Sequence, residues 1–223
     1  MAKKKKKDID AVAVIGLGRF GRALALELQD GGVDVLGIDV DMDLVQSCHD
    51  VLYHVVQADA TKEEALRELG VPEFSHAVVA VGSDLQASIL VTSWLIKFGV
   101  PQIWAKAISD PHEQILTQLG VQRVISPEKE TGTRIAHVIL DQLTDYIPLT
   151  GGFALVTKAV PESWQDRRLG EINLRGRRGL GIIAVRRETG EWIFGDPYTE
   201  ILEGDTALVV GPEDKVTEFT SAV

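Results

Sequence analysis

The sequence predicts an α/β protein: a doubly wound parallel sheet followed by a small C-terminal α+β unit. Three observations carry this. Apolar strand-like runs alternate with helix-like periodicity from Ala11 to about Tyr146. The first run, Ala11 to Ile15, feeds Gly16-Leu17-Gly18-Arg19-Phe20-Gly21, a G-x-G-x-x-G opening a helical pattern from Arg22 to Gln29, as in a Rossmann-like nucleotide fold. Beyond Gly151-Gly152 the pattern changes to short strands separated by turn signals.

In the glycine loop, Gly16 allows a tight turn, Gly18 lets backbone meet phosphate, and Gly21 lets helix pack on strand. The helix that follows offers free N–H groups and its positive end to an anion. Val33 to Ile38 reads as strand two, ending at Asp39, and Asp41 to Asp50 as a short helix. Leu52 to Gln57 is strand three, ending at Asp59. Thr61-Lys62-Glu63-Glu64 then reads as a capping box with Thr61 at the N-cap, and its helix stops at Gly70. Strand four is His76 to Val81, apolar enough for burial on both sheet faces.

Ser83-Asp84 opens a long helix through Leu85, Leu90, Trp94 and Phe98. Its apolar residues spread round most of the circumference, so a subunit partner is the simplest cover. Ile103 to Ala107 is strand five, Asp110-Pro111 starts a helix by N-cap and first-turn proline logic, and Arg123 to Ile125 is strand six. Six helix-linked strands imply right-handed crossovers and a ligand site at the strand carboxyl ends, near the switch point.

Pro127-Glu128-Lys129-Glu130 starts a last helix whose stripe runs Ile135, Val138, Ile139, Leu143, Tyr146. Pro148 and Gly151-Gly152 mark a break. Strands are then expected at Phe153 to Val160, Ile182 to Arg186, Trp192 to Phe194 and Thr206 to Val210. This second unit, roughly 70 residues, is small enough to pair with a copy of itself. The expected divisions are a basic tail (1–9), the nucleotide-binding domain (10–126), a crossover helix and linker (127–150) and the C-terminal domain (151–223).

Composition narrows the function. The 223 residues carry a formal charge of −10, although Lys3 to Lys7 are five consecutive lysines. The acidic body argues against nucleic acid, and the lysine run reads as a solvated tail or a contact for an anionic membrane surface or acidic partner. Cys48 stands alone, so neither an internal disulfide nor a C-x-x-C metal site is available. With no signal-peptide pattern and no membrane-spanning apolar stretch, a soluble, cytoplasmic protein is expected.

Asp39 lies 21 positions after Gly18 at a strand end, where a carboxylate accepts from ribose hydroxyls and repels a 2′-phosphate, or is an ordinary strand-end turn aspartate. Asp59 lies near the expected adenine, or caps the following helix. Arg19, on the first helical turn, opposes the helix dipole unless it meets phosphate. It suits a ligand with a free, highly charged phosphate end, such as ADP or ATP. Lys106, at the end of strand five, adds charge to the same cleft or is a solvated strand end. Glu128 and Glu130 suit a helix dipole without function, and a cation site there would need a second Glu128 from a symmetry mate. His49, His54, His76, His112 and His137 show no catalytic or metal spacing, and the last unit has no histidine, which argues against an enzyme.

Val14 to Gly21, Ala58-Asp59-Ala60-Thr61, Val81 to Ser88, Ile103 to Ala107 and Ser126 to Gly132 together resemble the KtrA/TrkA-type RCK (KTN) regulators of bacterial potassium uptake, most closely the KtrA branch. The likeness covers nearly the whole chain, with an RCK_N domain and an RCK_C-like (TrkA_C) unit from about Phe153. It implies a non-enzymatic cytoplasmic subunit on the inner face of the membrane, in an octameric ring beneath a KtrB/TrkH-type translocation subunit. ATP is expected to activate it and ADP to inactivate it. By matching positions, Gly16, Gly18, Arg19 and Gly21 hold phosphates, Asp39 the ribose and Asp59 the adenine. Phe20 and Ala60 belong to the same cofactor site, and Lys106 lies near the terminal phosphate. Glu128 matches a glutamate that places Mg²⁺ or Ca²⁺ at the dimer interface. Asn173, Arg175 and Pro197 match a cyclic di-AMP pattern, although Leu169-Gly170 stands where two bulky aliphatics usually precede it. The alternatives are an NAD(H)-binding redox sensor or small dehydrogenase, and a nucleotide-binding scaffold without a transporter.

Overall fold

The computed structural model describes residues 11–141 and 143–221; the Lys3 to Lys7 run lies outside them. The chain divides into two compact units, one ending at Pro127 and the other starting at Glu128.

The first unit runs β1 (Ala11–Ile15), α1 (Arg19–Asp30), β2 (Asp34–Asp39), α2 (Met42–His49), β3 (His54–Gln57), α3 (Glu63–Glu68), β4 (His76–Val79), α4 (Leu85–Phe98), β5 (Gln102–Lys106), α5 (Asp110–Gln118) and β6 (Arg123–Ile125). Its strands form one parallel sheet in the order β3-β2-β1-β4-β5-β6, so the expected doubly wound fold is present. The chain builds outward from β1 to β3, then crosses to β4 and builds the other way. The switch point therefore lies between β1 and β4.

Alternation along β1 supplies both faces. Ala13 and Ile15 enter one core with Val91, Leu95 and Ile103. Val12 and Val14 enter the other with Leu17, Ala25 and Cys48. Burying each branched side chain contributes about 1.5–3 kcal/mol. On α4 the single chain covers Ser88, Val91, Thr92 and Leu95 but leaves Leu85 and Leu90 exposed.

Two helix starts differ from the sequence reading. Thr61 is not the N-cap of α3; Lys62 is, without a side-chain cap. Thr61 instead donates its N–H and hydroxyl back to Asp59. The cap of α5 is Ser109, whose hydroxyl accepts from the His112 N–H, so Asp110 is the first helical residue.

The second unit contains α6 (Pro127–Leu140), β7 (Asp145–Leu149), β8 (Phe153–Ala159), α7 (Leu169–Ile172), α8 (Leu174–Arg178), β9 (Gly181–Arg186), β10 (Trp192–Phe194), β11 (Thr206–Pro212) and α9 (Glu213–Ser221). Its antiparallel sheet has the order β10-β9-β11-β8-β7. The helical stripe expected to reach Tyr146 ends earlier, because β7 starts at Asp145. Tyr146 is buried in this strand, and Gly151-Gly152, both at positive φ, turn the β7–β8 hairpin. Pro148 is tolerated because β7 is an edge strand. Arg134 on α6 forks onto Asp145 at 2.8 and 2.7 Å, and His137 stacks on Tyr146. The unread helix α9 buries Val216 and Phe219.

His112 gives the first unit a pH dependence. The ring is buried, its Nδ1 accepts from the Ile108 N–H at 3.3 Å, and its Nε2 has no protein partner among the described residues. An accepting Nδ1 requires the neutral imidazole, and burial lowers the pKa from its ordinary 6.5. The unfolded chain therefore takes up this proton more readily than the folded one, so the stabilisation is present above pH 6.5 and is lost as pH falls through the lowered folded value. Thermal melts between about pH 7.5 and pH 5 should fall for the wild type and fall less for His112→Gln. Equal slopes would remove this role.

Candidate functional site

Backbone proximity builds the site before any charged side chain is added. Gly16 has φ +99°, and a Cβ there would stand 2.9 Å from both Ala80 C and Val81 N. The turn after β1 is thus pressed against the segment after β4, with the Gly16 N–H held by the Ile38 carbonyl at 2.8 Å. Gly21 is tighter still: its Cβ would lie 1.8 Å from the Gly16 carbonyl oxygen. Gly18 is the N-cap residue of α1, supplies no side-chain cap, and has open space where a Cβ would be. The first-turn amides of a 12-residue helix therefore meet the outside through the smallest possible residue.

Asp39 organises this loop directly, through a bond to Leu17 that the sequence reading missed. Its Oδ2 accepts from the Leu17 N–H at 2.6 Å and its Oδ1 from the Asp41 N–H at 2.9 Å. A carboxylate offers about four acceptor positions, so hydroxyl donors still find room there. The Ala58 N–H donates to the Asp39 carbonyl at 2.9 Å, bringing the ends of β2 and β3 together. Asp59, exposed just beyond, accepts from the Thr61 hydroxyl at 2.6 Å and the Thr61 N–H at 3.0 Å. The Thr61 hydroxyl is the main cause holding its carboxyl below the usual range.

Positive charge lies at the loop and at the end of β5. Arg19 is exposed and makes no ion pair among the described residues. Lys106 is only 9% exposed. Its ammonium lies 5.8 Å from the Phe20 ring centre and would meet a Cβ on Gly82 at 3.4 Å. The strand ends β1, β4 and β5 thus gather Gly16, Gly18, Phe20, Gly21 and Lys106, while β2 and β3 gather Asp39, Asp59 and Ala60.

The remaining candidates belong to the second unit. Glu128 is exposed in the first turn of α6. Among the described residues no cluster of three or more metal-ligating side chains occurs. Asn173 is left-handed at φ 46°, with its side chain accepting from the Gly176 N–H. Arg175 is exposed on α8. The Pro197 carbonyl accepts from the Gly170 N–H at 3.0 Å, and a Cβ at 170 would stand 2.9 Å from that oxygen. That close approach is the physical reason for glycine at this position.

The loop geometry separates two glycine roles. Gly21→Ala must displace backbone and should destabilise the protein by roughly 3 kcal/mol in denaturant unfolding. Gly18→Ala, with open space and ordinary φ, should cost no more than about 1 kcal/mol, the difference between glycine and alanine at an N-cap. Similar losses at both positions would contradict this division.

Comparison with known proteins agrees with the fold. The TrkA-N domain model matches residues 12–127 and the TrkA-C domain model residues 154–223. The Ktr system potassium uptake protein C of Bacillus subtilis is 34% identical over 214 residues, covering 95% of this chain and 96% of the relative. The Ktr system potassium uptake protein A of Vibrio alginolyticus is 33% identical over 205 residues, covering 92% and 93%. The GsuK RCK domain superposes with a TM-score of 0.55 at 22% identity, over 95% of this chain and 46% of its own, a likeness of fold. GsuK bound to ADP matches with a TM-score of 0.53 at 25% identity, over 60% of this chain and 34% of its own. Among the described residues no helix is long and apolar enough to cross a membrane. Matched in both units by the domain models and over almost all its length by Ktr proteins, the chain belongs to the Ktr/TrkA family of potassium-uptake proteins, with a TrkA-N domain followed by a TrkA-C domain.

Proposed function

We propose that this chain is a non-enzymatic, nucleotide-gated regulatory subunit that controls a membrane potassium-translocating partner of the KtrB/TrkH type from its cytoplasmic face. The observation that carries the reading is the uncapped glycine turn of α1, opened at Gly18 and braced by Asp39, in a chain of the Ktr family. Backbone amides there suit phosphates, Asp39 suits the ribose, and Asp59 with Ala60 suits the adenine. Arg19 and Lys106, with Phe20 beneath the ammonium, are the cations best suited to distinguish ATP from ADP. A relative carrying bound ADP supports an adenine nucleotide as the ligand class.

Gating requires unequal affinity: ATP must favour the active arrangement and ADP the inactive one, or neither shifts the equilibrium. The proposed assembly is an octameric ring of dimers. Glu128 from two copies would hold Mg²⁺ or Ca²⁺, since one copy brings no metal-ligating cluster together among the described residues. Asn173, Arg175 and Pro197 form the proposed cyclic di-AMP surface, with Gly170 rather than an aliphatic beside Pro197.

Thermal-shift measurements with ATP, ADP, NAD, NADH and cyclic di-AMP, each with and without Mg²⁺ or Ca²⁺, test the reading. Stabilisation by ATP and ADP supports it, and stabilisation by NADH alone overturns it. In calorimetry Arg19→Ala should weaken ATP about tenfold while leaving adenosine within about twofold, the size of one charge-assisted hydrogen bond. Equal losses would remove Arg19 as the phosphate sensor.

A further inference from the structure

The Asp59 turn is held from outside the nucleotide loop. Its Oδ1 takes both Thr61 donors, the hydroxyl at 2.6 Å and the N–H at 3.0 Å. Its Oδ2 has no protein partner among the described residues. The Thr61 carbonyl in turn accepts the indole N–H of Trp94, 33 residues away on α4, at 3.0 Å. Indole nitrogen is a donor only, so this bond has one direction.

The indole is itself fixed. The Lys97 ammonium lies 4.7 Å from the Trp94 ring centre and 2.8 Å from Glu63 Oε2. Glu63 Oε1 receives the Arg67 guanidinium at 3.0 and 2.8 Å. Arg67 lies over the Phe98 ring at 4.6 Å. This network joins α3 to α4 by side chains, and the residue between it and Asp59 is Thr61.

We infer that Trp94 is a positioning residue for base recognition: through the Thr61 carbonyl it fixes the turn that pins Asp59 Oδ1 and presents Oδ2 to the exocyclic amino group of adenine. The inference rests on the proposed nucleotide reading. A carboxylate accepts from the amino group of adenine and repels the keto oxygen that hypoxanthine carries instead. Holding one oxygen while freeing the other turns a mobile strand-end aspartate into a selector. Trp94 touches no nucleotide in this scheme and acts only through Thr61.

Calorimetry with ADP and IDP on the whole protein tests this. The wild type should prefer ADP, and Trp94→Phe, which keeps the ring but removes the donor, should reduce that preference about fivefold, the worth of one net hydrogen bond. Thr61→Val cuts the hydroxyl link to Asp59 without touching α4. It should reduce the preference similarly, and an unchanged ratio in this variant overturns the scheme even if Trp94→Phe fails to fold. Equal weakening of both ligands, or an unchanged ratio, overturns the positioning role while leaving nucleotide binding intact. A wild type that binds neither nucleotide overturns the nucleotide reading itself, and this inference with it.

Discussion

The Gly16 carbonyl occupies the space that a Cβ on Gly21 would need, and the rest of the first unit depends on that contact. It sets the height at which α1 leaves the sheet and aims the helix's amino end back over the β1 turn. The same turn rests on Ala80, so the segments after β1 and β4 meet where the winding direction reverses. A crevice at the switch point follows from topology, but its floor is made of backbone only because glycine is present. Side chains were removed here so that N–H groups could be exposed.

Charge is then arranged against the trend of the chain. The protein carries a net −10, yet Arg19 and Lys106 lie by an uncapped helix start that already attracts anions. Asp39 limits how that positive potential is distributed. By accepting from Leu17 and Asp41 it neutralises part of the loop's donor field on the β2 side and leaves the Gly18 side open. The acid is therefore structural as it stands, whatever hydroxyl it also receives. Asp59 differs: its Thr61 partners engage one oxygen only.

Six strands and the glycine turn were legible in the sequence because period, length and turn residues agreed. The failures have local causes. Thr61 carried a capping-box pattern, but a neighbouring aspartate competed for its hydroxyl and won. Asp110 before proline looked like a cap, while Ser109 was equally competent and lay one residue nearer the turn. Leu143 and Tyr146 continued a helical stripe by coincidence of spacing, and only the hairpin with β8 reveals β7. α9 hid behind a Gly-Pro turn signal that in fact falls at the strand's end. The Asp39–Leu17 bond and the Trp94–Thr61 bond span 22 and 33 residues, and no local pattern encodes such pairings.

ATP and ADP share adenine, ribose and two phosphates, so whatever holds those parts stabilises both bound forms alike and cannot gate anything. Under the proposed function, discrimination falls to cations able to reach a third phosphate. Lys106 is nearly buried and held against Phe20, so little rotamer freedom is left to lose; Arg19 is exposed and unpaired among the described residues, and must be ordered by the ligand. Reversing a 1:99 equilibrium takes about 5.5 kcal/mol, more than one such contact supplies in a single subunit. Divided over the proposed ring of eight it would be roughly 0.7 kcal/mol per site, less than one ordinary hydrogen bond. A modest preference at each glycine turn is then sufficient, provided that the copies change state together.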